Sequence, residues 1–290
     1  MDMIEQVRRF NRTVTRRIGA LDGQFLGRNR SLGASRVLFE IGTEGVQVRE
    51  LRSRLGLDSG YMSRLLRSLE REGLIRTDPA PADARVRYAF LTAAGRKEVA
   101  LLNRLSDKAA AAMLEPLSTT QRTALTSAME AVERLLLASA VRVEVENPAS
   151  PAAQRCLAHY FDELAARFDA GFDPARSISA SIAELTPPHG FLVVAWLNGE
   201  AIGCGALKCH PTHGEVKRMW VAASCRGLGV GKRILQRLEE LARKRRLHLL
   251  RLETNKALTE AHALYRSSGY SEVAAFNDEP YAHHWFEKRL

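Results

Sequence analysis

The run Arg226-Gly227-Leu228-Gly229-Val230-Gly231 follows a short apolar stretch, Met219 to Val221. It precedes Ile234, Leu235, Leu238, Leu241 and Ala242, which recur at helical spacing. A glycine loop between a strand and a helix leaves the backbone N–H groups of the first helical turn without partners, and the helix dipole adds partial positive charge at the same place. That combination is a phosphate cradle, and glycine lets the backbone approach the anion closely. The spacing excludes two common nucleotide loops. A dinucleotide fingerprint needs G-x-G-x-x-G with an acidic residue about 20 positions on, and a P-loop needs G-x-x-x-x-G-K-[ST]. The pattern present here is R-x-x-G-x-G.

A second constellation lies in the first half of the chain. Val48, Leu51 and Leu55 form one helical stripe that ends at Gly56. After Leu57 another helix starts at Asp58, with Met62, Leu65, Leu66 and Leu69 facing inward. This is a helix-turn-helix pattern. Its second helix is predicted to expose Ser59, Tyr61, Ser63, Arg64, Arg67 and Arg71, which supply hydroxyl donors and guanidinium groups suited to reading a nucleic-acid groove. Leu74-Ile75-Arg76 begins a strand, Pro79 to Asp83 turns, and Val86 to Leu91 returns, which makes a wing with Arg85 and Arg87 at or near its tip. The net charge of the chain is +10, and seven of those charges fall within residues 1–141, where the cations are nearly all arginine. Arginine suits bidentate contacts to phosphate and guanine, so double-stranded DNA is the partner expected for this half.

The elements that must position these groups divide the chain in two. Met3 to about Ile18 reads as a helix with Ile4, Val7, Phe10 and Val14 on one apolar face, which requires a partner to cover it. A glycine-rich connection from about Gly23 to Gly33 leads to a short helix carrying Val37, Leu38 and Ile41. After the wing, two long helices, about Ala93 to Leu114 and Thr119 to Ala140, are separated at Pro116. Around Val141 the pattern changes from helical to alternating, with Val141, Val143 and Val145 opposite Arg142, Glu144 and Glu146. Ser150-Pro151 then caps a helix bearing Cys156, Leu157, Tyr160, Phe161 and Leu164. Gly171 to His189 is loop-rich, with a short helix predicted from Ile178 to Leu185. Phe191 to Trp196 and Ala201 to Cys209 form a hairpin about Asn198-Gly199, and a strand from Gly214 to Val221 delivers the chain to the glycine loop. A strand from His248 to Glu253, a helix from Leu258 to Ser268, and strands near Tyr270 to Ala275 and His284 to Leu290 complete the pattern. The expected fold is a mainly α winged helix-turn-helix domain over 1–140 and an α/β domain with a mixed, mostly antiparallel sheet over 141–290.

Other function classes are disfavoured. No run of 18 or more apolar residues is present, and Met1-Asp2-Met3-Ile4-Glu5 lacks a basic and then apolar layout, so the expectation is a cytoplasmic protein without a membrane partner. Cys156, Cys204, Cys209 and Cys225 form no C-x-x-C pair and are expected as buried free thiols, with no metal.

The helix-turn-helix, the wing with Asp83-Ala84-Arg85 and the following Leu91-Thr92-Ala93-Ala94-Gly95 resemble the MarR family of winged-helix regulators. The resemblance implies a homodimer built from the first helix and the two long ones. It also implies a recognition helix in the major groove and a wing arginine, Arg85, braced by Asp83 in the minor groove.

R-x-x-G-x-G and the strand and helix order of 142–290 resemble the GNAT acetyltransferases. That resemblance implies acetyl-CoA as acetyl donor, with Trp220, Val221, Arg226, Gly227, Leu228, Gly229, Val230, Gly231 and Lys232 as its binding residues and the Trp220-Val221 backbone polarising the thioester carbonyl. Glu215, eleven residues before Arg226, resembles the family's catalytic glutamate, and Glu253 is a rival base. Tyr265, in Ala263-Leu264-Tyr265, resembles the tyrosine that protonates the departing sulfur. The family often carries asparagine seven residues before that tyrosine; Leu258 stands there, leaving Asn255 as the candidate for its cofactor contact. Asn277 and Tyr281 are expected to line the acceptor pocket, and Lys208 is a candidate for a substrate carboxylate. The implied function is a DNA-binding regulator that is also an acetyl-CoA-dependent N-acetyltransferase acting on a small-molecule or protein amine. Two alternatives are a regulator whose second half only senses acetyl-CoA or a ligand, and an enzyme whose winged helix only dimerises.

Overall fold

The computed structural model describes residues 2–21, 24–80, 83–169, 171–178 and 180–290. Gly23 of the expected glycine-rich connection, Pro81 and Ala82 of the wing turn, and Ser179 of the helix predicted from Ile178 lie outside the described residues. The chain forms two compact units, residues 1–128 and 129–290.

In the first unit, α1 (Met3–Arg17) buries none of its residues. The helices α2 (Leu32–Ile41), α3 (Val48–Leu55) and α4 (Ser59–Arg71) enclose a core of Val37, Leu38, Ile41, Leu51, Met62, Leu66 and Leu69. Helix starts follow the chemistry of their caps: Ser31, Asp58 and Thr92 each accept a bond from the N–H three residues on. Between α3 and α4 the turn is only three residues long and opens with Gly56 in the left-handed region. The short β1 (Val46–Gln47) and the wing strands β2 (Ile75–Ala80) and β3 (Asp83–Leu91) form an antiparallel sheet in the order β1-β3-β2. The long helix α5 (Ala93–Leu114) follows, and then α6 (Thr119–Ala140), which continues past residue 128 into the second unit.

The second unit is built on one sheet of β4 (Arg142–Glu146), β5 (Gly190–Leu197), β6 (Glu200–Cys209), β7 (Gly214–Val221), β8 (Leu249–Thr254), β9 (Ser271–Val273) and β10 (His284–Arg289). Its order is β4-β5-β6-β7-β8-β10-β9, and every pairing is antiparallel except β7 with β8. Alternate side chains serve opposite faces, as the pleat requires. Leu192 and Val194 of β5 pack with Ala153, Cys156 and Leu157 of α7 (Pro151–Arg167), whereas Val193 and Ala195 pack with Ile234, Leu235 and Leu238 of α8 (Val230–Lys244). Helix α9 (Thr259–Ser267) adds Tyr265 to the α8 side.

One irregularity makes room for function. The parallel ladder joins only Gly214 to Leu250 and Glu215 to Arg251, so beyond Glu215 strands β7 and β8 part. On the other side of β7, the register against β6 shifts between Cys204 and Ala206, and Arg218 opposite that shift has φ +56. A bulge of this kind re-aims side chains, and Val216, Lys217, Arg218 and Met219 all reach the opening that results. The helix predicted from Ile178 to Leu185 is not formed; among the described residues only Ala183–Leu185 make a 3-10 turn. Here Ser181 caps locally, donating through its N–H and hydroxyl to Glu184 Oε2, and Thr186 is already extended.

Candidate active site

Two cavities open where β7 and β8 diverge. The outer cleft is walled by the glycine loop and the first turn of α8 (Arg226, Gly227, Gly229, Val230, Gly231 and Lys232), by Trp220 and Val221 of β7, and by Glu163 and Arg167 of α7 with Glu260 of α9. Gly227 and Gly229 have φ of +80 and +73, in the region that favours glycine, and a Cβ built on either would meet nothing within 4 Å. The loop backbone is therefore bare toward the cleft at the N-terminus of a 15-residue helix. Leu228 turns the other way and packs against the core, which anchors the loop.

Ion pairs surround this cleft. Arg226 donates from Nη2 to both oxygens of Glu163, at 2.6 and 2.7 Å, and from Nε to the Val221 carbonyl at 3.2 Å. Trp220 Nε1 donates to Glu163 at 3.0 Å. Arg167 bridges Glu163 and Glu260 and donates to the Ala257 carbonyl at 2.7 Å. Glu163 thus ties the loop and β7 to α7, a connection that the sequence did not reveal because its partners stand 57 and 63 positions away.

The inner pocket lies behind the cleft, and the two share Tyr160, Leu164, Met219, Leu258, Ala261 and Tyr265. Its far wall is aromatic. Phe172 stacks on Phe161 at 5.9 Å and lies 4.8 Å from Tyr281, and Phe168 meets both Phe172 and Tyr281 at 5.8 Å. Its charged groups are Lys217, Arg218, Glu253 and Glu279. Glu279 is satisfied by the Ser177 hydroxyl and the Ile178 and Tyr281 N–H groups. Lys217 donates to Glu253 Oε1 at 2.6 Å and to the Ile178 carbonyl at 3.1 Å, and it pairs with Glu215 Oε1 at 3.0 Å. Glu253 Oε2 is buried without a hydrogen-bond partner among the described residues. Burial lifts the Glu253 carboxyl above the ordinary carboxylate range despite the nearby Lys217 ammonium. Burial also lifts the Tyr265 hydroxyl well above its usual value, so it stays protonated.

The sequence-derived site residues divide accordingly. Tyr265 lies in the wall common to both cavities, and Trp220, Val221 and the loop line the outer one. Glu215 lines neither cavity: it is buried behind Lys217, where Lys217 and His210 outweigh the upward push of burial and hold its carboxyl low. The carboxylate that does reach the inner pocket is Glu253. Asn255 borders the inner pocket rather than the cleft, and its amide is used locally, donating to the Tyr281 carbonyl at 2.7 Å and accepting from the Ala257 N–H at 2.9 Å. Tyr281 lines the inner pocket, with its hydroxyl accepting from the Asp173 N–H. Asn277 does not line it; its Oδ1 accepts from the Trp285 indole at 2.7 Å. Lys208 is committed to Glu184 at 2.7 Å.

In the first unit, a groove runs between the starts of α3 and α4 and the wing, lined by Arg49, Arg52, Ser59, Ser63, Arg85 and Arg87. Asp83 accepts from the Arg85 backbone N–H at 2.9 Å, which fixes the wing at the point where that arginine projects. Arg87 bonds Thr77 and stands 4.0 Å from Glu70. Arg64 and Arg67 remain exposed, with no carboxylate partner among the described residues, and Arg64 lies 5.8 Å from the Tyr61 ring. Tyr61 departs from its expected exposure: its ring is half-buried and packs against the core, with the hydroxyl beside Gly33 of α2.

A splayed mixed sheet, a bare glycine loop at the head of the helix that crosses it and a second pocket behind that loop define the class of the second unit as a CoA-dependent acyltransferase fold. A model of the GNAT acetyltransferase family matches residues 155–270, and one of the MarR family matches residues 26–86. The IAA acetyltransferase of Azospirillum brasilense is 38% identical over 94 residues, which cover 32% of this chain and 61% of that protein. The uncharacterised N-acetyltransferase YsnE of Bacillus subtilis is 39% identical over 109 residues, covering 36% of this chain and 72% of the relative. A GNAT family acetyltransferase from Elizabethkingia anophelis, solved with acetyl-CoA bound, is 18% identical with a TM-score of 0.38, covering 52% of this chain and 99% of that one. The chain belongs to the GNAT family of acetyltransferases through its second unit and carries a MarR family region in its first.

Proposed function

We propose that the second unit transfers an acetyl group from acetyl-CoA to the amine of an acceptor bound in the inner pocket, and that the first unit binds double-stranded DNA as a regulator. The observation that carries the first part is the position of Tyr265 in the wall shared by the two cavities, opposite a pocket that holds a buried carboxylate oxygen without a partner among the described residues.

The bare loop and the first turn of α8 fit a pyrophosphate, and Lys232 adds a cation at the same mouth. Acetyl-CoA supplies the acetyl group already activated as a thioester. The chain's own residues then have two tasks. Glu253 Oε2 removes a proton from the acceptor's ammonium, a role for which a raised carboxyl is suited. The Tyr265 hydroxyl gives a proton to the sulfur as it departs. Glu253 takes the base role in place of Glu215 because it alone of the two lines the pocket.

For the first unit, the arginine-lined groove and exposed Arg64 and Arg67 support contact with the phosphates and bases of a duplex. The apolar face of α1 (Met3, 84% exposed, with Ile4, Val7 and Phe10) fits burial in a homodimer.

The deciding experiment follows CoA-thiol release from acetyl-CoA across amino acids, polyamines, aminoglycosides and lysine peptides, with wild type and Tyr265→Phe side by side. Acceptor-dependent release that falls in the variant supports transfer. Binding of acetyl-CoA with no release above background for any acceptor overturns transfer and leaves a ligand-sensing unit.

A further inference from the structure

An ammonium acceptor must shed a proton before it can attack, and a buried carboxylate that takes this proton must lose it again before the next turnover. Glu253 sits in a pocket where its side chain is only 9% exposed. While an acceptor fills that pocket, the ligand itself stands between Glu253 and bulk water. A line of side chains leads from Glu253 toward the surface by another way.

Glu253 Oε1 accepts from Lys217 Nζ at 2.6 Å, and the same nitrogen stands 3.0 Å from Glu215 Oε1. The other oxygen of Glu215 is 3.3 Å from His210 Nε2. Exposure rises only at the end of this line: 9% for the side chains of Glu253, Lys217 and Glu215, and 31% for His210. The geometry has a simple local cause. Glu215 and Lys217 are two apart on β7 and share a face, and β8 runs parallel beside Glu215, so Glu253 follows two residues after its partner Arg251. His210 enters from the β6–β7 turn, which is closed by its own N–H bonding the His213 carbonyl at 2.9 Å.

We propose that Lys217, Glu215 and His210 form a relay that carries the acceptor's proton from Glu253 to solvent, with His210 as its outlet. The inference rests on the reading of Glu253 as the group that takes that proton. Each step moves one proton between neighbours. The acceptor's N–H bond breaks as an O–H bond forms on Glu253. Neutralising Glu253 weakens its hold on the Lys217 ammonium, which gives a proton to Glu215 and, as the Glu253 carboxyl turns, takes the proton from Glu253. Lys217 ends as it began, and Glu215 passes its proton to His210 Nε2 while the opposite ring nitrogen releases one to water. Glu215 suits transit rather than storage, because Lys217 favours its ionised form.

The charged and titratable groups around the outlet are Glu215 and Lys217 of β7, His213 of the turn, whose ring stacks on His210 at 4.6 Å, and Arg251 of β8, which with His210 and burial holds His213 low. His213 is therefore the control. It packs against His210 without bridging Glu215.

The test measures kcat and KM for acceptor-dependent CoA release across pH in wild type, His210→Gln, His210→Ala and His213→Ala. Both His210 variants should lose roughly tenfold in kcat, less than the 10²–10⁴ of a direct proton-transfer group, with little change in KM. Imidazole added to the buffer should restore much of the rate in His210→Ala, and His213→Ala should keep the wild-type pH profile. Unchanged kcat and pH profile in both His210 variants would overturn the relay, as would a loss that imidazole leaves untouched. A wild-type protein that releases no CoA with any acceptor sinks the relay and the transferase reading together, so the two failures are distinguishable.

Discussion

The guanidinium of Arg226 rests on the carboxylate of Glu163, with Nη2 2.6 Å from Oε2 and 2.7 Å from Oε1. The arginine that opens the glycine loop is therefore turned onto α7, and it braces a loop whose own amides face the cleft. Arg226→Ala should loosen that brace and raise the KM for acetyl-CoA by about tenfold, the equivalent of one charge-assisted hydrogen bond of about 1.5 kcal/mol, with kcat little changed. Initial rates at varied acetyl-CoA would separate this from a loss of chemistry, which would lower kcat instead.

Tyr265 packs its ring 6.0 Å from Tyr270 and 5.8 Å from Phe286, contacts that phenylalanine preserves. Tyr265→Phe should keep the thermal midpoint of wild type and lower kcat by about 10²-fold. A large drop in the midpoint would mean that the hydroxyl holds the fold rather than the reaction.

Glu253 must be ionised to take a proton, and burial raises its carboxyl above the ordinary 4.5. Activity should therefore fall on acidification along a limb centred above that value, with ionised Glu253 and full rate on its alkaline side. Glu253→Gln should cut kcat about 10²-fold and erase the limb. Glu215→Gln should lower kcat by interrupting the relay yet retain the limb, because Glu215 stands outside the pocket. A limb that vanishes in Glu215→Gln but survives in Glu253→Gln would reverse the two assignments.

Glu98 of α5 accepts from Arg28 Nε and Nη2, each at 2.9 Å, and from Arg30 Nη1. Burial pushes its carboxyl up, but the two arginines win and hold it below the ordinary range. A lowered value in the folded state means that this contribution to stability is fully present above the ordinary carboxylate value and is lost as pH falls through the lowered one. Glu98→Gln should destabilise the first unit by roughly 2–3 kcal/mol near neutral pH, and the difference from wild type should shrink on acidification. Denaturant melts followed on the isolated transition of that unit would check both the size and the sign.

Arg64 and Arg85 project from α4 and from the wing beside the basic groove. Arg64→Ala and Arg85→Ala should each weaken binding to a short mixed-sequence duplex and reduce the slope of log K against log salt by about one. A salt dependence unchanged by either substitution would remove these side chains from the DNA contact.

Apart from the helix predicted at Ile178, the helices and the loop were legible because their causes are local. The helix starts at Asp58 and Ser150 and the apolar stripes of α2, α4, α7 and α8 are properties of a few adjacent residues, and R-x-x-G-x-G stands at the head of α8. Which of Glu215 and Glu253 reaches the pocket was not a local matter. Strand alternation cannot say where two parallel strands part company, and here the ladder ends at Glu215 itself. The pocket's far wall was equally hidden, since Phe161, Phe168, Phe172 and Tyr281 meet across more than a hundred residues. The surroundings of Asn277 and Asn255 were hidden for the same reason: a single indole and a single backbone carbonyl, both set by tertiary packing, bond them.

The parting of β7 from β8 also bears on how the molecule avoids sticking to itself. Strands with open backbone edges invite other chains to add on, and proteins usually defend the rim of a sheet against this. Here the open stretch lies in the middle of a seven-stranded sheet, flanked by β6 on one side and β10 on the other. The fold can therefore hold a frayed seam away from the rim of the sheet, where strand addition is the usual hazard.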